Sequence, residues 1–301
     1  MNLFLVFVVI LLLMLIMCSL KKKHNIDENT IWTYWEQGRK NIYPFHKLCI
    51  KTWKQNNPKY RVIIVDKNNV YNYLDKKDLP PNWEKIEQIQ HKSDFVRIAL
   101  LEKYGGIWID ISTICLKPID SVFTQTKSLE GFSRSRHSRT KDLSIFENGF
   151  ISAKKGSRVI KRWKDEFLKA FGNSKSVEDM DKSYFEGVDF QNIELEWYLT
   201  MYRVLMKLNQ LDPEIKDIYF NDSTILEADK TMFLHYIYFD GWEIDIKQKY
   251  LEANDDYVEK VKESGTPILK FINSGGTLKN TSEEEVLRNK DSVLYKLIYI
   301  L

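Results

Sequence analysis

An α/β domain with a largely parallel sheet, carried on an N-terminal transmembrane helix, is the architecture this sequence predicts. Three observations point to it. Strand-like and helical stretches alternate between residues 31 and 111. A double glycine, Gly105-Gly106, turns a helix directly into a strand. Residues 3–17 carry no polar side chain, and Lys21-Lys22-Lys23 close the apolar run soon after.

The first element in the chain is that run. About 18 to 20 apolar residues at ~1.5 Å each give roughly 27–30 Å of helix, enough to cross a bilayer. A cleaved leader fits less well, because no basic segment precedes the run and no small-x-small site precedes the lysines. The lysines on its C-terminal side predict a single-pass protein with its large domain on the cytoplasmic face. Cysteine usage agrees, since Cys49 and Cys115 alone cannot form a disulfide framework. The sequons Asn221-Asp222-Ser223 and Asn280-Thr281-Ser282 point the other way, but three-residue motifs arise often by chance. The expected organisation is an anchor at 1–20, a basic and polar linker at 21–29, and one domain at 30–301.

Within that domain Ile31 to Trp35 reads as a strand, and Phe45 to Trp53 has helical apolar spacing. Asn56-Asn57-Pro58 breaks that helix, and Tyr60 to Val65 is a β-branched strand ending at Asp66. A helix is expected from about Trp83 to Tyr104, then a strand from Ile107 to Ile111. Ligands of such sheets bind at the carboxyl ends of the strands. Asp66 and Asp110 sit at those ends, which puts the chemistry before about residue 120. Further on, Phe150 to Ala153 is a short strand, Arg158 to Phe171 a helix, and Asn192 to Leu208 another helix. Ser133 to Lys141 is a polar, basic loop.

Composition narrows the function. The 301 residues carry 45 Lys and Arg against 42 Asp and Glu, a net charge of +3. A nucleic-acid binder would concentrate a larger basic excess. Aromatic residues make up 13% of the chain, enough for a large core and for a site that stacks on rings. There is no Gly-x-x-x-x-Gly-Lys-Ser/Thr phosphate loop, no Gly-x-Ser-x-Gly elbow and no Cys/His zinc spacing.

The informative segment runs from His91 to Ser112. Asp94 and Arg97 are three apart on a helix and share a face. The glycines then lead into a strand whose end presents Asp110. One carboxylate beside an Asp/Arg pair suits a hard divalent ion and a diphosphate. The spacing equally suits a surface ion pair, worth ~0.2–0.5 kcal/mol, and a turn-capping aspartate. Spacing alone leaves both readings open.

The set of motifs resembles the capsular polysaccharide synthesis family of glycosyltransferases, which is similar to the DXD-motif sugar-binding-region (family 32-like) transferases. The residues that carry the likeness are Ser93-Asp94-x-x-Arg97, then Gly105-Gly106-x-Trp108-x-Asp110. Ile31 to Gly38, Trp53 with Asn57-Pro58-x-Tyr60, and Asn148 to Ala153 add to it. The likeness covers roughly residues 30–165.

The resemblance implies a GT-A-type, Rossmann-like nucleotide-diphospho-sugar transferase fold, with a donor-binding half at about 30–120 and an acceptor half at about 121–301. It implies retention of the anomeric configuration in the DXD relatives' manner, a donor nucleotide-diphospho-sugar, and an acceptor hydroxyl on a glycan, polysaccharide or glycolipid. Trp32, Thr33, Tyr34, Trp35 and Gln37 would wall the base. Ser93, Asp94, Arg97 and Trp108 would hold the sugar and diphosphate, and Asn148 would face the acceptor. Asp94, Arg97 and Asp110 would be catalytic. Mn²⁺ or Mg²⁺ would sit on Asp110, with Ser112 and His235 as further ligands. The DXD pattern wants Asp at 112, and this chain has Ser112. That departure motivates the alternative of a non-catalytic, membrane-tethered nucleotide-sugar or glycan-binding protein on a degenerate transferase fold.

Overall fold

In β1 (Thr30–Tyr34) every residue is buried, so a strand of mixed Thr, Ile and aromatic residues must sit between two layers. The computed structural model describes residues 26–135, 145–190, 197–232 and 246–301. After β1 come α1 (Pro44–Asn56), β2 (Arg61–Val65), α2 (Ile89–Tyr104), β3 (Gly106–Ile109) and β4 (Thr113–Cys115). The second part adds β5 (Leu129–Arg134), β6 (Ile145–Ala153), α3 (Arg158–Phe171), α4 (Thr200–Leu211), α5 (Pro213–Asn221) and β7 (Ser223–Glu227). Towards the C-terminus lie α6 (Asp255–Ser264), β8 (Ile268–Lys270) and α7 (Val293–Tyr299).

The main sheet has the order β2-β1-β3-β6-β5-β7, and β4 pairs with β8 in a small second sheet. Side-chain alternation sorts the residues of the main sheet into two cores. Ile31, Ile107, Ile109 and Phe150 pack with Phe45, Cys49 and Trp53 of α1. Trp32, Trp108 and Ile151 face the opposite layer, with Phe95 and Ile98 of α2 and Trp163 and Phe167 of α3. The result is an α/β sandwich with helices on both faces, as expected.

The sheet is mixed rather than largely parallel. β1 runs parallel to β2 and β3, but β6 runs antiparallel to both β3 and β5. Residues 135–144 separate β5 from β6. A parallel crossover needs a dozen or more residues, so that connection favours antiparallel pairing. The long helix expected from Trp83 is also shorter. A 3-10 turn at Trp83–Lys85 is followed by an extended Ile86, and α2 begins at Ile89.

Gly105 and Gly106, with φ of 71° and 95°, make the turn from α2 into β3. A Cβ on Gly106 would lie 2.6 Å from the Thr30 carbonyl, so only glycine lets β3 start flush against β1.

The expected anchor at residues 1–20 lies outside the described residues. Among the described residues no helix is long and apolar enough to cross a membrane. The longest, α2, has 16 residues and carries Lys92, Asp94, Arg97, Glu102 and Lys103. At ~1.5 Å per residue it falls short of a ~30 Å hydrocarbon core. The expectations of a transmembrane fold, a membrane partner and a single-pass, cytoplasm-facing location therefore find no support among the described residues.

Candidate functional site

The order β2-β1-β3 places a topological switch point between β1 and β3. The chain leaves β1 through α1 on one face and enters β3 from α2 on the other. A crevice opens at such a point, beyond the carboxyl ends of the strands. Here it is a cleft of about 830 Å³. Thr33 to Gln37 follow β1 along one wall, and Asp110, Ile111 and Ser112 follow β3. Arg134, Glu147 and Asn148 of the central strands, Tyr198 and Tyr202, and Lys270 at the end of β8 complete it.

Arg97 is the hub. It is buried, and its two terminal nitrogens point to different carboxylates. One donates to Asp94 at 2.7 Å, the other to Asp110 at 3.0 Å. Its guanidinium carbon lies 4.9 Å from the centre of the Trp108 ring, a cation-π contact. Trp108 and Asp110 share a face of the extended chain, so the indole N–H donates to Asp110 Oδ1 at 2.9 Å. Asp110 Oδ2 meets the Lys270 ammonium at 2.7 Å. Asn148 adds a donor to Asp94 at 3.2 Å and accepts from the Tyr202 hydroxyl at 2.7 Å.

The two aspartates differ in protonation preference. For Asp110, burial favours the neutral acid, but Lys270 and Arg97 together outweigh it and hold the carboxyl below its usual range. For Asp94 burial dominates, and the carboxyl is raised in spite of Arg97. Burial also pushes the Tyr202 hydroxyl well up, so it remains a donor at neutral pH.

The expected metal centre at Asp110 is corrected by this geometry. Among the described residues no group of three or more His, Cys, Asp or Glu is placed to hold a metal ion. The residues present do not fit one. Both Asp110 oxygens already face cations or N–H donors. The Ser112 hydroxyl donates to the Phe271 carbonyl at 2.7 Å. His235 lies outside the described residues. A divalent ion at ~4 Å from the Lys270 ammonium would meet like-charge repulsion of roughly 8 kcal/mol at an effective dielectric of 20.

Of the other expected residues, Thr33, Tyr34, Trp35, Gln37, Ser93, Asp94, Arg97, Trp108 and Asn148 all line the cleft. Trp32 does not. It is fully buried, donates to the Gly105 carbonyl at 3.1 Å and packs its ring against Tyr73 and Tyr104. Asp66 is a turn residue, accepting from the backbone N–H of Asn68 at 2.8 Å and of Asn69 at 3.1 Å. Trp32→Ala should therefore lower unfolding free energy by about 3–5 kcal/mol in a denaturant titration. Trp35→Ala, on a partly exposed ring, should cost far less. Equal losses would put Trp32 and Trp35 in the same environment and contradict the structure.

Several cleft residues escaped the sequence reading. Lys270 is one, although it ends a short apolar run before Asn273-Ser274-Gly275-Gly276, a strand-then-turn signal. Arg134 and Glu147 form a buried ion pair at 2.6 Å across β5 and β6. Tyr43 stands edge-on to Trp35, with ring centres 5.5 Å apart, and extends the aromatic wall. Of the basic loop at 133–141, residues 136–141 lie outside the described residues.

A family model described as "Capsular polysaccharide synthesis protein" matches residues 14–191. The O-glycosyltransferase braB of Annulohypoxylon truncatum is 26% identical over 182 residues, 54% of this chain and 42% of its own. The glycosyltransferase afumC of Aspergillus fumigatus is 25% identical over 169 residues, 51% of this chain and 43% of its own. This chain thus spans less than half the length of those relatives. Among solved structures, the PaToxG glycosyltransferase is similar over 91% of this chain and 86% of its own, at 17% identity and a TM-score of 0.40. The family match takes in well over half of the sequence, including α2, the double glycine and Asp110, and the chain belongs to the capsular polysaccharide synthesis protein family.

Proposed function

We propose that this protein transfers a sugar from a nucleotide-diphospho-sugar to an acceptor hydroxyl on a glycan or glycolipid. The observation that carries the reading is the Asp94–Arg97–Asp110–Lys270 cluster in the switch-point cleft of a chain of this family. The glycosyltransferase names of the relatives support it.

In the transfer the bond between the anomeric carbon and the diphosphate oxygen breaks, and its electron pair leaves with the oxygen. The acceptor oxygen forms the new bond to that carbon, and its proton is released. Charge therefore builds on the leaving diphosphate. Fixed cations aimed at that charge lower the barrier, because they need no reorganisation during the step. Arg97 is held in this way by two carboxylates. Trp35 and Tyr43 offer ring faces and edges for the base, and Asp94 offers an acceptor for sugar hydroxyls. Asn148, fixed by Tyr202, stands on the acceptor side. Retention would bring the acceptor to the face from which the diphosphate leaves; NMR of the product's anomeric proton reads this out.

A thermal-shift screen of nucleotide sugars, followed by turnover assays on those that bind, tests the reading. One donor should raise the melting temperature and be slowly hydrolysed or transferred. Binding without turnover would leave a sugar-nucleotide binding protein. No binding and no turnover with any UDP-, GDP- or dTDP-sugar would end the proposal.

A further inference from the structure

We propose that the Lys270 ammonium takes the place of a divalent cation in this site and contacts the donor's diphosphate directly. The inference rests on the donor reading above and identifies which of the chain's own groups meets the diphosphate.

Three features of the fold converge on Lys270. First, its ammonium is held at Asp110, the one carboxylate at the end of β3, at 2.7 Å. Two carboxylates and a divalent ion sum to zero charge. Asp110, neutral Ser112 and Lys270 also sum to zero. The lost carboxylate and the gained ammonium thus compensate.

Second, Ser112, standing where a second acid would, fixes the strand that delivers the lysine. Its hydroxyl donates to the Phe271 carbonyl at 2.7 Å, and the Phe271 N–H donates to the Ser112 carbonyl at 2.9 Å. Thr113 pairs with Lys270 itself in the β4–β8 ladder. Backbone register therefore places the lysine's Cα, and Asp110 holds its ammonium.

Third, β6 is shaped to admit the side chain. A Cβ at Gly149 would fall 2.8 Å from both Cδ and Cε of Lys270, and onto its Nζ. Glycine here leaves a groove for the lysine stem between β6 and the cleft. Gly149 also accepts the Asp110 N–H on its carbonyl at 2.8 Å, so one residue sets both partners of the ion pair. Lys270 remains on the cleft wall, with 13% of its side chain exposed. During transfer its positive charge faces the diphosphate oxygen that receives the bonding pair, while the acceptor's proton leaves separately.

Isothermal titration of the full-length protein with UDP, GDP, uridine and guanosine, in EDTA and in millimolar MnCl₂, tests this. A nucleoside diphosphate should bind equally well in both buffers. Lys270→Met should weaken it by about tenfold or more, the loss of one charge-assisted hydrogen bond. Lys270→Arg should restore most of the affinity, and the parent nucleoside should bind all three proteins alike. Gly149→Ala keeps the lysine but displaces the flexible end of its chain. It should weaken diphosphate binding with little change in melting temperature, and it carries the test if Lys270→Met does not fold. Tight binding that needs Mn²⁺ and ignores both substitutions would overturn the role of Lys270 while leaving the donor reading intact. Absence of binding by UDP and by GDP, and by dTDP titrated in the same way, in either buffer would remove both.

Discussion

Arg97→Met should destabilise the protein by about 3–5 kcal/mol, the cost of removing one partner from a buried ion pair. Arg97 is 4% exposed and contacts Asp94 and Asp110 at once. Without it Asp110 keeps Lys270 and the Trp108 indole. Asp94 keeps less: the Asn148 amide at 3.2 Å is a neutral donor, and His91 and Lys270 act on it only through weaker charge interactions than Arg97. The penalty therefore falls on Asp94, whose carboxyl burial already raises. Two consequences separate this mechanism from simple loss of packing. Lowering the pH should shrink the deficit, because a protonated Asp94 no longer needs the charge. Asp94→Asn should rescue much of it, with a coupling of about 1–3 kcal/mol in the double-mutant cycle. Arg97→Lys should recover only part, since one ammonium cannot reach both carboxylates as a planar fork does. Denaturant titrations of the four proteins of the cycle decide the matter. Additive losses, or a deficit that does not change with pH, would mean that Arg97 acts through its stem and not its charge.

This hub was legible in the sequence because it is local. Asp94, Arg97 and Asp110 lie on one helix, one glycine turn and one strand end. Helical spacing and strand alternation suffice to put their side chains together. Lys270 comes from the far end of the chain, delivered by the pairing of Ser112 with Phe271, which are 159 residues apart. β8 has three residues, too few for any periodicity to show. The same holds for Arg134 and Glu147, which meet only because β5 and β6 pair antiparallel.

Trp32 shows the opposite failure. The family resemblance puts this aromatic residue in the base wall, but the cleft lies beyond the carboxyl end of β1 and Trp32 does not line it. Trp32 sits in the middle of that strand and faces the core with Trp108 and α2. Position along a strand decides between core and site, and composition does not. The cation beside Asp110 is hidden in the sequence for a related reason. Ser112 was legible as a missing carboxylate, but the cation that answers it comes from the far end of the chain.

Asp110→Asn should cut turnover by about 10²-fold or more, the scale of losing one preorganised electrostatic contact, while nucleoside diphosphate binding holds or tightens. The asparagine oxygen would take the place of Oδ1, where Arg97 and Trp108 both donate. Its amide nitrogen would then face the Lys270 ammonium, donor against donor. The ammonium loses its anchor and moves away from residue 110. The cleft meanwhile loses one negative charge, which favours any anion in the ground state. Turnover should thus fall with no loss of binding, as expected of a residue that positions cations and unlike one that only helps to hold the donor. Steady-state kinetics and titration with UDP or GDP give both numbers. Turnover within about threefold of the parent would remove Asp110 from the machinery, because a positioned charge is worth far more than that. The pH dependence carries an independent sign. The folded-state value for Asp110 is depressed, so its contribution to stability is complete above the unfolded value of about 3.9 and is lost as pH falls through the lower folded value. The stability gap between the parent and Asp110→Asn should therefore be flat from about pH 5 to 8 and close only in stronger acid. A gap that closed near neutrality would mean that Asp110 is not held by Lys270 and Arg97.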